Sequence, residues 1–141
     1  MMVEYRTTGR LRVLAIGGRQ LASLCDWLAA IDVGALRARQ GDATALLLDL
    51  RAQGFTPGAR EANAVIQSLL TLCGSRVPPL AILTNPGPQY GGARMLCTLG
   101  ELCDCRAAAF RDEGEAWRWL ELQVEGRNVH ALPPTPVAVE A

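Results

Sequence analysis

Lysine is absent from this chain. All 14 basic side chains are arginine, the one histidine is His130, and serine occurs only at Ser23, Ser68 and Ser75. Each shortage removes a chemistry. Without lysine there is no Schiff base, and no phosphate loop of the kind whose lysine reaches a nucleotide. One histidine excludes a zinc site built on two. A nucleophile–histidine pair would have to recruit His130 from a proline-rich stretch. No apolar run approaches the ~20 residues that a membrane-spanning helix needs, so no membrane span is expected. The 14 acidic residues balance the 14 basic ones to a net charge of zero. That speaks against a nucleic-acid partner, which needs a basic surface to displace counterions. The five cysteines are an odd number, and the start Met1-Met2-Val3-Glu4-Tyr5-Arg6 is polar too early for a signal peptide. The chain therefore reads as cytoplasmic, with reduced thiols.

What is present is a regular alternation of patterns. Met2–Arg6 and Leu11–Ile16 alternate apolar and polar across Thr7-Thr8-Gly9-Arg10, which predicts a β-hairpin. Leu21, Leu24, Cys25, Leu28 and Ile31 share a helical face, with a pause expected at Gly34. Ala45–Leu50 and Pro79–Thr84 read as strands buried on both faces. Between them, Thr56 is expected to cap a helix with Pro57 at its first position, and Ala62, Val65, Ile66, Leu69 and Cys73 form the stripe. Gly91 or Gly92 is expected to open the next helix, carrying Met95, Leu96, Leu99 and Leu102 inward. Cys105–Phe110 predicts a last strand. Asp112 then caps a helix with the stripe Ala116, Trp117, Leu120 and Val124. Trp117 and Trp119 stand two apart, so one is expected in the core and Trp119 partly exposed. The predicted fold class is α/β: one open mixed sheet of about five strands, an N-terminal antiparallel hairpin followed by parallel β-α units, with about four helices. Residues 1–126 form the domain and 127–141 a proline-rich flexible tail.

Three stretches resemble bacterial domains of the STAS group, named for sulfate transporters and anti-sigma-factor antagonists. Ala45-Leu46-Leu47-Leu48-Asp49-Leu50-Arg51 is similar to that group's LLVDLRG strand end. Gln89-Tyr90-Gly91-Gly92-Ala93-Arg94-Met95 resembles its xYGLARMF helix start. Phe110–Leu120 resembles its closing VFRDLEEALAWL. The three occur in order and cover roughly residues 2–122. The resemblance implies a four- or five-stranded sheet with helices. In the antagonist branch it also implies a switch by phosphorylation of a serine at a helix N-terminus. Here that loop offers Thr56 before Pro57 and no Asp-Ser-Ser stretch, which speaks against such a switch. Other relatives are lipid- or anion-binding.

Ligands of open α/β sheets sit beyond the carboxyl ends of the strands. The polar residues expected there are Asp49, Arg51, Thr56, Asn85, Gln89, Tyr90, Arg94 and Arg111, with Gly91 and Gly92 letting a ligand approach the backbone. Two readings of Arg94 stand. It clamps an oxyanion bidentately, or it pairs with Asp49 or Asp112. Cys103-Asp104-Cys105 is spaced Cys-x-Cys rather than Cys-x-x-Cys, and a four-thiolate zinc site would also need Cys73 and Cys97, which lie on stripes that read as buried. No base stands near a nucleophile. The expectation is a non-enzymatic interaction module without cofactor or metal, binding a protein partner or a second copy. The alternative is a binding domain for a small anionic or amphipathic ligand.

Overall fold

The computed structural model describes residues 3–8, 11–17, 24–41, 43–53, 56, 58–73 and 77–128. Its elements run β1 (Val3–Thr8), β2 (Leu11–Gly17), α1 (Leu24–Gln40), β3 (Ala45–Asp49), α2 (Ala59–Cys73), β4 (Leu80–Leu83), α3 (Pro88–Leu102), β5 (Ala107–Phe110) and α4 (Glu113–Asn128). The five strands form a single sheet in the order β1-β2-β3-β4-β5. β1 pairs antiparallel with β2, and every later pair is parallel. This is the mixed α/β sheet expected. The hairpin's Gly9-Arg10 turn, the helix start at Gln20–Ser23, Pro57 and the tail from position 129 lie outside the described residues. α4 itself continues to Asn128, two residues past Gly126.

Sequential strand order decides where the helices go. Each parallel crossover steps in the same direction, and a right-handed crossover then puts each connecting helix on the same face. Accordingly, α1, α2 and α3 cover one face, where Leu14, Ile16, Leu46, Leu48, Leu80 and Ile82 meet Trp27, Ile31, Ile66, Leu69 and Leu96. α4 lies on the opposite face, where Val13, Ala15, Leu47, Ala81 and Leu83 meet Ala116 and Leu120. The period of two in β2 and β3 sorts alternate residues between these two cores. β3, central and wholly buried, serves both. Each fully buried Leu or Ile here is worth about 1.5–3 kcal/mol relative to exposure.

The helices correct several expectations. α1 does not pause at Gly34. Its buried phase is Trp27, Ile31, Ala35 and Ala38, and a Cβ at Gly34 would collide with the Ile16 side chain, so the glycine serves close packing. α2 buries the stripe read from the sequence, Ala62, Val65, Ile66, Leu69 and Cys73. It is not capped by Thr56, which is exposed and stands three residues before Ala59. Glu61 Oε1 instead accepts the Gly58 N–H at 2.9 Å, half of a capping box. α3 opens on Gly87 and Pro88, not on Gly91 or Gly92. Gly87 at φ 99 takes the left-handed turn that only glycine adopts cheaply, and Pro88 suits a first helical position. Leu102 at the end of α3 points outward, 79% exposed. Asp112 does cap α4, accepting the Glu115 N–H at 3.0 Å. Trp117 and Trp119 are both half-buried against the α4 core, so neither is the fully buried indole; that role falls to Trp27.

Candidate functional site

The C-terminal ends of the parallel strands form a crown of loops. Asp49 ends β3, Asn85 follows β4, and Arg111 follows β5. In doubly wound sheets a crevice opens where the strand order reverses. Here the parallel strands step one way throughout. Among the described residues no such switch point splits the loops, and those of β3, β4 and β5 bond to one another.

The crown's polar side chains make these bonds. Gln89, 8% exposed, donates from Nε2 to the carbonyls of Leu50 at 2.7 Å and Gln53 at 3.2 Å, and its Oε1 accepts the Asn85 N–H at 2.9 Å. Asn85 Nδ2 donates to the Arg51 carbonyl at 2.8 Å. These bonds tie the loop after β3 to the start of α3. A buried amide satisfied in this way orders both loops, and removing it strands several polar groups at once.

Asp49 is buried at the end of β3 and is fully engaged with Arg51. Its Oδ1 accepts the Arg51 backbone N–H at 3.0 Å and Nε at 3.1 Å, and its Oδ2 accepts Nη2 at 2.9 Å. This fork-on-carboxylate contact raises the Arg51 guanidinium above its ordinary pKa, through the Asp49 hydrogen bonds first. Arg51 Nη2 also donates to Glu113 Oε1 at 3.3 Å. Glu113 in turn faces Arg6 at 3.7 Å and accepts Trp117 Nε1–H at 3.4 Å. The chain Asp49–Arg51–Glu113–Arg6 fastens the first turn of α4 to β3 and β1.

The remaining candidates stand outside this lock. Gly91 and Gly92 lie within α3, and the Gly91 N–H already bonds the Gly87 carbonyl at 3.2 Å, so neither offers a free helix N-terminus. Arg94 sits almost two turns into α3. It is exposed and makes no ion pair among the described residues. Asp49 is taken by Arg51 and Asp112 by the α4 cap, so neither expected partner of Arg94 holds it. Arg111 stacks its guanidinium 4.6 Å above the Tyr90 ring. Tyr90 and Arg94, four apart on α3, share a helix face. The structure therefore brings Tyr90, Arg94 and Arg111 together as an exposed rim. Asp49, Arg51, Asn85 and Gln89 are internal fastenings, and Thr56 belongs to neither group.

Three of the thiols, Cys73, Cys97 and Cys105, are raised by burial rather than activated. Burial pushes Cys97 up to about 12 and Cys105 up to about 11. Cys73 is raised for the same reason. Among the described residues, no three His, Cys, Asp or Glu side chains gather as metal ligands. A groove of about 430 Å³ lies elsewhere, between α1 and α2, lined by Val33, Leu36 and Leu72, with Ser68 Oγ donating to Asp32 Oδ1 at 2.6 Å beside them. Sequence reasoning missed it; the exposed Val33 and Leu36, off the buried phase of α1, were its signal. Among the described residues, no helix is long and apolar enough to cross a membrane. Comparison of the chain with protein-family models, with curated proteins and with solved structures finds no match.

Proposed function

We propose that the chain is a non-enzymatic regulatory or interaction module of the STAS-like group, meeting its partner at the rim of the strand ends. Three motifs in order support the family, and the poverty of catalytic groups supports the class. A reducing, cytoplasmic setting fits the odd cysteine count. One observation carries the reading. The polar groups that would line a catalytic cleft are bonded to each other and to the loop backbones, leaving aromatic and arginine side chains on an exposed rim. Tyrosine and arginine are favoured anchors of protein interfaces, whereas small-molecule chemistry favours concave pockets. Crosslinked capture from the source cell tests this. A partner held by the wild-type chain and lost with Arg111→Glu supports the reading; no capture by a monomeric chain contradicts it.

A second reading, a small anionic or amphipathic ligand at the same rim, is favoured by the missing carboxylate partners of Arg94 and Arg111 among the described residues. Two guanidiniums flanking a tyrosine suit a carboxylate or phosphate. A thermal-shift screen of carboxylates, phosphates and anionic lipids tests it. Stabilisation abolished by Arg94→Ala supports it, and the absence of any shift removes it.

A further inference from the structure

α1 buries one side and leaves a patterned stripe on the other. Trp27, Ile31, Gly34, Ala35 and Ala38 are buried toward the sheet. The helix then turns Ala29, Val33, Leu36 and Gln40 to the outside, spaced four, three and four. That is the a/d spacing of a two-helix seam, with Val33 at position a and Leu36 at the following d. All four are exposed. Val33 at 38% and Leu36 at 41% are two of the four large hydrophobic side chains left open among the described residues. With Leu72 of α2 they line the groove between α1 and α2.

The charges beside the stripe specify what fits it. Asp32 stands on the α2 flank, where its Oδ1 accepts Ser68 Oγ–H at 2.6 Å. Arg37 stands on the β1 flank, where its Nη1 donates to the Val3 carbonyl at 3.3 Å. Both are exposed, and neither makes an ion pair among the described residues. Asp32 thus holds position g before Val33, and Arg37 position e after Leu36. In a parallel helix pair, position g meets the partner's position e five residues further along. Asp32 and Arg37 are five apart and opposite in charge. An antiparallel pair would instead gather both aspartates on one flank and both arginines on the other. Valine at a with leucine at d likewise favours a parallel pair.

We propose that a second copy of this chain packs its α1 parallel to this one, about a two-fold axis that runs along the seam. Val33 meets the partner's Val33, and Leu36 the partner's Leu36. Asp32 pairs with the partner's Arg37, and by symmetry Arg37 with the partner's Asp32. Ala29 and Gln40 close the seam at its two ends. Asp26, one heptad before Val33 and about 10 Å along the helix, bounds it, because like charges would meet there. Contact covers little more than one heptad, a crossing of two helices rather than a long coiled coil, so the dimer depends on concentration. This surface lies apart from the rim. α2 separates α1 from α3, so the dimer leaves Tyr90, Arg94 and Arg111 open.

Sedimentation velocity of the full chain, at concentrations up to about 500 μM, tests it. The expected species at the upper end is twice the 15.1 kDa chain mass. Leu36→Glu changes an exposed side chain and should weaken dimerisation at least about tenfold. Asp32→Arg alone and Arg37→Asp alone each set like charges across the seam, and each should weaken it about tenfold. Mixed in equal amounts, these two variants should form a heterodimer within about threefold of wild-type affinity, because each arginine of one chain then meets an aspartate of the other. Recovery on mixing separates the charge match from any damage to the Ser68 or Val3 bonds. A monomer at every concentration overturns the proposal and leaves the stripe to residues 129–141 or to another protein. A dimer indifferent to Leu36→Glu, or a mixture no stronger than its parts, overturns it too. Arg111→Glu should leave the dimer intact. A monomer that still captures an Arg111-dependent partner overturns the dimer and leaves the rim reading in place.

Discussion

The crown of the sheet and its β5 edge make opposite use of their polar groups. At the crown, Gln89, Asn85, Asp49 and Arg51 face inward or along the backbone, and their donors and acceptors are matched within the chain. At the edge, short apolar side chains leave a row of backbone groups turned outward. A polar residue at a strand end is thus no guide to a ligand site, because backbone from two loops competes for it first. A strand of alanines, by contrast, has only its backbone to offer, and among the described strands β5 has a neighbour on one side alone.

The largest expected effect falls on the crown. Gln89→Leu leaves the Leu50 and Gln53 carbonyls and the Asn85 N–H without their partner, which should cost about 2–3 kcal/mol in urea denaturation. A loss below about 0.5 kcal/mol would mean that the crown is not locked by this residue. The next effect belongs to the edge side of α3. Burial raises the folded Cys97 and Cys105 thiols to about 12 and about 11, above the ordinary thiol value near 9. Below pH 9 both states keep these protons and the thiols add no pH dependence. As pH rises from 9 through about 11 to 12, the unfolded chain ionises first and stability falls. Denaturation at steps through that window checks the sign; a rise attributable to the thiols, removed by Cys97→Ala, would contradict it.

The smaller effects separate helix starts from ligand sites. Glu61→Ala removes the bond to the Gly58 N–H and should cost about 0.5–1 kcal/mol. Gly91→Ala places a methyl where nothing lies within 4 Å, inside a helix. It should raise stability by up to about 1 kcal/mol. If Gly91 instead admitted a ligand to the backbone, the alanine would abolish binding with little effect on folding. Thr56→Ala should stay within about 0.5 kcal/mol, because Gly58 and Glu61 rather than Thr56 start α2.

Much of the architecture was legible because period and burial coincide in it. The stripe Ala62 to Cys73 is the buried face of α2, and the continuous Leu46-Leu47-Leu48 run is a strand between two cores. In α1 the expected stripe through Leu28 and Ile31 does meet the core, but Trp27, Ala35 and Ala38 carry that face further, and Gly34, read as a pause, is where the helix admits the Ile16 side chain. The start of α3 was legible in Gly87-Pro88, a glycine cap and a proline at the first position, but the later glycine pair drew the boundary forward. The candidate site was legible only as a neighbourhood. Residue type places Asp49, Asn85 and Gln89 at strand ends, yet whether an amide points at a ligand or at the Leu50 carbonyl depends on loop geometry that no spacing records.

Residue-resolved hydrogen exchange tests the contrast most directly. The Asn85 amide, held by Gln89 Oε1, should be protected at least about tenfold more than the Ala109 amide, which β5 turns away from β4. Equal exchange at the two amides would contradict a crown whose donors are matched within the chain beside a strand whose outer row faces away from the sheet.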